Sequence, residues 1–294
     1  MTAAEIAAAL GDARHEGGAW RCRCPLHGGR SLIVRDGDGG CILVTCWGGC
    51  DRLAVLAELR RLDLLGSRAA YGSRLNRRGA AEHRADEARR IALARRIWED
   101  ACDPRKSAVS RYLAGRGIVL DAWPASVRYH PNCPRGRSER APAMVALVEC
   151  IERGIVGLHR TFLTPDCRRH DRSSLGPIGG GAVRFAGPRL GEWFAVAEGI
   201  ETTAAVVVAS NIPAWAALSA EGIRALKLPP EATHVIICAD HDASGTGERA
   251  ARDAAARWLS EGRRVRIAMP VGAGSDMADV LIANTNATEA RHVA

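Results

Sequence analysis

The stretch WFAVAEGIETTAAVVVAS, residues 193–210, decides the reading of this chain, and THVIICADHD, residues 233–242, repeats its logic. Each begins with a short apolar run that stops at an acidic residue: 193–197 runs into Glu198-Gly199, and 233–239 runs into Asp240. Apolar runs of this length without polar alternation read as strands buried on both faces. Residues 200–210 carry a helical pattern, and 212–218 form another apolar run. An Arg/Ala-rich amphipathic helix follows at 247–260, a strand at 264–269 (RVRIAM), and the start of a last helix at 276–282. Strands alternating with helices predict an α/β domain with a parallel sheet covered on both faces. Ligands of such sheets collect at the carboxyl ends of the strands.

Those ends are acidic. Glu198-Gly199-Ile200-Glu201 follows the first run, Asp240-His241-Asp242 the third, and Asp276-Met277-Ala278-Asp279 the fourth. Any one of these acids is explained as a helix cap. The whole set at neighbouring strand ends is different, because converging carboxylates repel unless a cation neutralises them. Oxygen donors alone favour Mg²⁺ or Mn²⁺ over zinc. Such ions keep water ligands, leave room for phosphate oxygens and serve phosphoryl transfer. In Asp240-x-Asp242 the i, i+2 spacing after a strand lets both carboxylates reach one ion.

Five of the ten cysteines, Cys22, Cys24, Cys41, Cys46 and Cys50, crowd into thirty residues near the front of the chain. The N-terminus lacks the basic segment and long apolar core of a secretion signal, so a cytoplasmic, reducing setting is expected, where clustered cysteines are metal ligands sooner than disulfides. Cys24-Pro25-Leu26-His27 and Cys46-Trp47-Gly48-Gly49-Cys50 supply three thiolates and an imidazole, the donor set of a closed structural Zn²⁺ site. The β-like runs at 31–34 and 41–45 between them fit a zinc ribbon. Cys22 and Cys41 compete as ligands on spacing alone, and Cys41 also alternates as a core residue would. The apolar content is too small to hold sixty residues together, so zinc would supply much of the folding energy.

The chain has 294 residues and a formal net charge of +8. Between Ser67 and Arg140 there are 17 Lys/Arg against 8 Asp/Glu, so this segment holds the whole excess, which suits a polyanionic partner. All the basic residues but Lys106 and Lys227 are arginine. No apolar stretch reaches the ~18 residues of a membrane span, and no membrane partner is expected. Composition divides the chain into a Cys-rich domain at 1–66, a basic helical linker at 67–104, an accessory α+β lobe at 105–190 and the α/β domain at 191–294. Within the linker, 71–79 (YGSRLNRRG) reads as polar coil and 80–100 as a helix. The Gly179–Gly181 run reads as a turn.

Glu198-Gly199 after the first strand and Asp240-His241-Asp242 after the third resemble the signature of the Toprim domain, shared by bacterial-type primases, topoisomerases and some nucleases. The resemblance covers residues 191–282. It implies that Glu198 is a general acid/base or positions the ion, and that Asp240 and Asp242 bind Mg²⁺. It also implies that Asp276 is a further acid of primase-like members, with Asp279 and Glu201 weaker carry-overs. The Cys24/His27/Cys46/Cys50 pattern, with its C-x₃-C half, resembles the zinc-binding module of phage- and plasmid-type DNA primases, which engages single-stranded template. The segment with Gly157-Leu158-His159-Arg160-Thr161 and Leu175-Gly176-Pro177 resembles the lobe before the Toprim domain in those primases. By that resemblance Arg160 faces nucleotide or template phosphates, although a strand arginine with no such role fits equally. Where related primases carry a lysine, this chain has Arg168, Arg169 and Arg172, and Arg172 is the candidate nucleotide-binding residue.

No G-x₄-G-K-[ST] occurs, so no P-loop helicase is fused to this chain and a separate replicative helicase is the expected partner. The chain is also too short for a topoisomerase and shows no tyrosine in a strand-passage context. The resemblance therefore implies a DNA primase that joins NTPs into short RNA primers on single-stranded DNA, with structural Zn²⁺ and catalytic Mg²⁺ or Mn²⁺. The alternatives are a Toprim-type nuclease and a non-catalytic DNA-binding protein that loads or regulates a helicase.

Overall fold

The computed structural model describes residues 1–37, 41–65, 72–136, 138–239 and 245–270, with backbone alone at 72–82. Two compact units divide at His83/Arg84.

The first unit is built on a four-stranded antiparallel sheet of β1 (Arg14–Glu16), β2 (Ala19–Cys22), β3 (Leu32–Asp36) and β4 (Ile42–Cys46), in that order. Helix α1 (Ala3–Leu10) starts at a capping box of Thr2 and Glu5, and α2 (Arg52–Arg61) starts at Asp51, whose carboxylate accepts from the Ala54 N–H at 2.9 Å. Ile6, Leu32, Val34, Val44, Val55 and Leu59 form a small core in which Cys22 is fully buried. Cys41 is exposed, so its alternation with apolar neighbours does not mark a core position. Helix α3 (Gly72–Glu99) starts well before residue 80. The stretch read as coil is helical from Gly72, because Arg, Leu and Asn are tolerated in helices and a lone Gly79 costs only about 1 kcal/mol.

In the second unit, β5 (Val127–Arg135), β6 (Glu139–Cys150), β7 (Gly154–Leu163) and β8 (Arg169–Leu175) form an antiparallel sheet. One face packs on the end of α3 through Ala94, Ile97, Val145, Leu158 and Phe162. The other packs on α4 (Ala108–Ala114) and on α5 (Ile200–Ser210), joining Val109, Leu113, Met144, Val148, Ile200 and Ala204 in one core. The α/β domain follows, with strands in the order β13 (Arg264–Ala268), β12 (His234–Cys238), β10 (Trp193–Ala197), β11 (Ala214–Ala216), β9 (Val183–Arg184). The first four are parallel as expected, and β9 adds an antiparallel edge. Helix α5 covers one face of this sheet. Helices α6 (Ala220–Ala225) and α7 (Thr246–Ser260) cover the other, α7 through Ala251, Ala254, Ala255 and Trp258. The apolar run at 212–218 yields only three residues of strand, since Pro213 lacks an N–H and the chain turns at Leu218, φ 70°. Gly179 and Gly180 form a turn.

Candidate functional site

In the first unit, Cys24, His27, Cys46 and Cys50 come together with their ligand atoms all within 4.8 Å of one another. The two turns that carry them are held by backbone bonds: Gly28 N–H donates to Cys24 O at 2.8 Å, and Trp47 N–H to Ser31 O at 2.8 Å. Cys24 Sγ lies 3.8 Å from Cys50 Sγ, the edge of about 3.8 Å expected for sulfurs at about 2.3 Å from a tetrahedral Zn²⁺. His27 Nε2 sits 3.2 Å from Cys46 Sγ and 3.0 Å from Ser31 Oγ, while the Gly29 N–H donates to Nδ1 at 3.1 Å. Ligation through Nε2 leaves the ring proton on Nδ1, so Gly29 would give up that bond to a bound metal.

The ring lies close against two glycines. A Cβ at Gly29 would fall 2.8 Å from His27 Cε1, and one at Gly48 would fall 2.7 Å from Nε2. The Cys46 thiol is drawn down, first by the hydrogen bond from Cys24, against desolvation and with help from Ser31 and His27, and Cys24 is pushed up by the same pairing. Without a cation one thiol of the pair keeps its proton to stabilise the other's thiolate; a divalent cation would release both. The donor set, the sulfur spacing and the shaped seat for the imidazole fit zinc. Cys22 and Cys41 lie outside the group.

In the second unit, β10 is the strand from which the chain goes first to β11 on one side and then to β12 on the other. That makes the carboxyl ends of β10 and β12 the crevice where doubly wound sheets bind ligands. The register pairs Ala197 with Cys238, so Glu198 stands beside Ala239, whose N–H donates to Ala268 O at 3.0 Å. Glu198 is half-buried. Asp240, Asp242 and Asp276 lie outside the described residues, as does Asp279. Gly199 has φ −99°, and a Cβ there would meet nothing closer than 3.6 Å. The fold does not require glycine at that position.

The two candidate arginines of the lobe fall on opposite faces of its sheet. Arg160 pairs with Val145 across β6 and shares the α3 face with Phe162. Its Nη1 donates to Pro134 O at 2.8 Å, and its guanidinium lies 5.6 Å from the Phe162 ring. Arg172 pairs with Thr161 and so lies on the face toward α5, along with His159 and Ser174. The register sets this separation: Arg172 lies across from Thr161, the residue next to Arg160 on β7, and adjacent residues of a strand point to opposite sides.

On that α5 face the structure assembles a polar group that sequence reasoning missed. Tyr112 on α4 donates its hydroxyl to Glu201 Oε1 at 2.6 Å, and Arg169 Nη1 stands 4.0 Å from the same oxygen. His159 Nδ1 is 3.0 Å from Ser174 Oγ, and burial holds its pKa down to about 4, against the pull of Glu201 and together with the nearby Arg172 and Arg160. Burial, then the charge of Glu201, pushes the Tyr112 phenol up. The only sequence signal was Glu201 itself, three residues after Glu198; nothing local pointed to Tyr112, 89 positions away.

Residues 194–287 match the family model of the Toprim domain, and 88–185 match one described as Domain of unknown function (DUF7146). The chain thus carries a Toprim domain behind a Cys₃His group that fits a zinc ribbon. No curated protein matches by sequence. Among solved structures, the Aquifex aeolicus primase (zinc-binding and RNA polymerase domains) aligns at 13% identity over 99% of this chain and 82% of its own, with a TM-score of 0.45. A DNA primase domain from Pseudomonas aeruginosa aligns at 18% identity over 69% of this chain and 77% of its own, TM-score 0.43. A DnaG primase catalytic domain bound to ssDNA aligns at 18% identity over 72% of this chain and 81% of its own, TM-score 0.41. Among the described residues no helix is long and apolar enough to cross a membrane.

Proposed function

We propose that this chain is a DNA primase of the phage or plasmid type, joining ribonucleotides on single-stranded DNA. The observation that carries the reading is the pairing, in one chain, of a Cys₃His group with a Toprim domain whose Glu198 stands at the switch point of the sheet. The Toprim domain alone points to phosphodiester chemistry; the zinc ribbon narrows it to template-directed synthesis. The bare backbone at Gly199 leaves a phosphate room to approach.

In this reading Glu198, Asp240, Asp242 and Asp276 hold Mg²⁺ or Mn²⁺. Bound there, the ions supply charge neutralisation at the reacting phosphate. Glu198 takes the proton of the primer 3′-hydroxyl as its oxygen bonds to the α-phosphorus of the incoming NTP, and pyrophosphate leaves. Arg172 meets the nucleotide phosphates from the lobe face that looks toward α5, where a guanidinium can bind them in a bidentate way. Arg160, on the other face, is left the template strand. The zinc ribbon and the basic segment hold single-stranded DNA, and a separate helicase delivers it.

The test is incubation of the protein with single-stranded DNA templates, Mg²⁺ and labelled NTPs, with metal analysis of the same sample. Short RNA products and one zinc per chain are expected. Template cleavage without synthesis would replace this reading with a Toprim nuclease. Unchanged cellular function after Asp240→Ala with Asp242→Ala would replace it with a non-catalytic DNA-binding role.

A further inference from the structure

Glu201 stands three residues after Glu198, where proximity in sequence would enlist it as another ion ligand. Its surroundings give it different work. The residue is 8% exposed, and its Oε1 receives the Tyr112 hydroxyl at 2.6 Å. That length falls within the range of about 2.5–2.7 Å for a hydroxyl donating to a carboxylate. Tyr112 is itself 5% exposed. Arg169 Nη1, 4.0 Å from the same oxygen, faces it from β8. One carboxylate on the first turn of α5 therefore ties down α4 and β8, both elements of the lobe.

Its neighbours on α5, Ile200, Ala204 and Ala205, are apolar and pack against that lobe without help. A buried charge is costly where an apolar residue would serve. Its presence there is accounted for by what it orients. The N-cap of α5 is Gly199, which has no side chain to fix the start of the helix. The first turn is held from within by Thr203, whose N–H and hydroxyl both donate to Gly199 O, at 3.0 and 2.8 Å. From outside it is held by the Glu201–Tyr112 bond. Where that turn sits decides where Glu198 sits.

We propose that Glu201 is a positioning residue, locked by Tyr112, that sets Glu198 against the arginine face of the lobe, and is not a ligand of the ion. The proposal rests on the primase reading for its kinetic consequence and on the geometry alone for its ligand consequence. The full chain is compared with Glu201→Gln, Glu201→Ala, Tyr112→Phe and the double variant Tyr112→Phe/Glu201→Ala. Mn²⁺ affinity is read by electron paramagnetic resonance, and primer synthesis as kcat and KM for NTP.

Mn²⁺ affinity is expected to stay within about twofold in all four, while Asp240→Ala loses it. Glu201→Gln keeps an acceptor for the tyrosine and stays near the parent kcat. Glu201→Ala and Tyr112→Phe each lower kcat about tenfold, roughly 1.4 kcal/mol of barrier, with KM unchanged. The double variant is no worse than either single, as two ends of one bond should be. Loss of Mn²⁺ binding in Glu201→Gln comparable to Asp240→Ala overturns the proposal, and so does full kcat in Tyr112→Phe.

If the parent chain joins no nucleotides, the primase reading falls by itself. Hydrogen exchange at the first turn of α5 then decides the positioning role. Protection lost in Tyr112→Phe upholds it, and unchanged protection in that variant overturns it.

Discussion

Replacing Gly48 by alanine removes no ligand atom, yet it should cost the first unit most of its hold on zinc. The added Cβ would fall 2.7 Å from His27 Nε2 and 3.0 Å from Ser31 Oγ. Relief needs the imidazole to retreat by about 0.7 Å, several times the tolerance of about 0.2 Å on a metal–ligand distance. Gly29 crowds the neighbouring edge of the ring, where a Cβ would lie 2.8 Å from Cε1 and 2.9 Å from Nδ1, so there is little room there for the ring to shift into. The imidazole therefore leaves the group instead of sliding within it. A structural zinc site contributes about 10–16 kcal/mol, and one ligand in four is about 2.5–4 kcal/mol of that. At 1.4 kcal/mol per decade, zinc affinity should fall about a hundredfold or more.

Competition with a chromophoric chelator measures the loss, and the first thermal transition should drop by about 10 °C or more. His27→Ala should show the same loss, and the double variant little beyond it. Gly49→Ala is the control. Gly49 has φ +82° with nothing within 4 Å of its Cβ position. Its cost is backbone strain of about 1–2 kcal/mol, with the zinc affinity kept within about tenfold. Gly48→Ala binding zinc as tightly as the parent would refute the idea that the two glycines seat the imidazole.

Other consequences are open to measurement. Asp240→Ala with Asp242→Ala should abolish primer synthesis, by about 10²-fold or more, and residual synthesis near the parent rate would remove these acids from the chemistry. Arg263 donates to the carbonyls of Leu228, Pro229 and Ala232 at 2.7–3.1 Å and is 13% exposed, so Arg263→Ala should cost about 2–4 kcal/mol in urea unfolding. A loss under about 0.5 kcal/mol would show that solvent replaces those bonds. His159 titrates near 4 in the fold because it is buried, and near 6.5 when unfolded. Below pH 6.5 the unfolded chain takes up a proton that the folded chain refuses. The second unit should thus be at full strength above that pH and lose about 3 kcal/mol by pH 4. His159→Gln should flatten that part of the profile, and an unchanged slope would assign the loss to other groups.

Much of the α/β domain was legible because its signals are local. The run at 193–197, the helix at 200–210 and the strand starting at 264 stand where the apolar pattern puts them, since a strand buried on both faces and a helix each write their periodicity into contiguous residues. The short helix Ala220–Ala225 escaped notice because six residues with a glycine inside carry no period, and its start rests on one cap, Ser219, accepting from the Gly222 N–H. The antiparallel edge strand Val183–Arg184 is two residues long and exists only because Trp215 and Ala216 lie beside it.

The Cys₃His group was nearly legible in sequence alone. Two close pairs of donors make two turns, and two turns need only meet. Choosing among five cysteines took the tertiary structure: Cys22 points into the core with Leu32 and Val55, while Cys41 faces solvent. The same holds for the lobe. Sequence named Arg160 and Arg172 together, but strand pairing placed them on opposite faces, a parity that register alone sets. Glu201 was visible as an acid next to Glu198, but its bond to Tyr112 spans 89 residues and belongs to the packing of α4 on α5. The chemistry each residue carries is a property of its type and near neighbours, and sequence states it. What a buried charge touches depends on which distant surfaces close over it, and only the folded chain decides that.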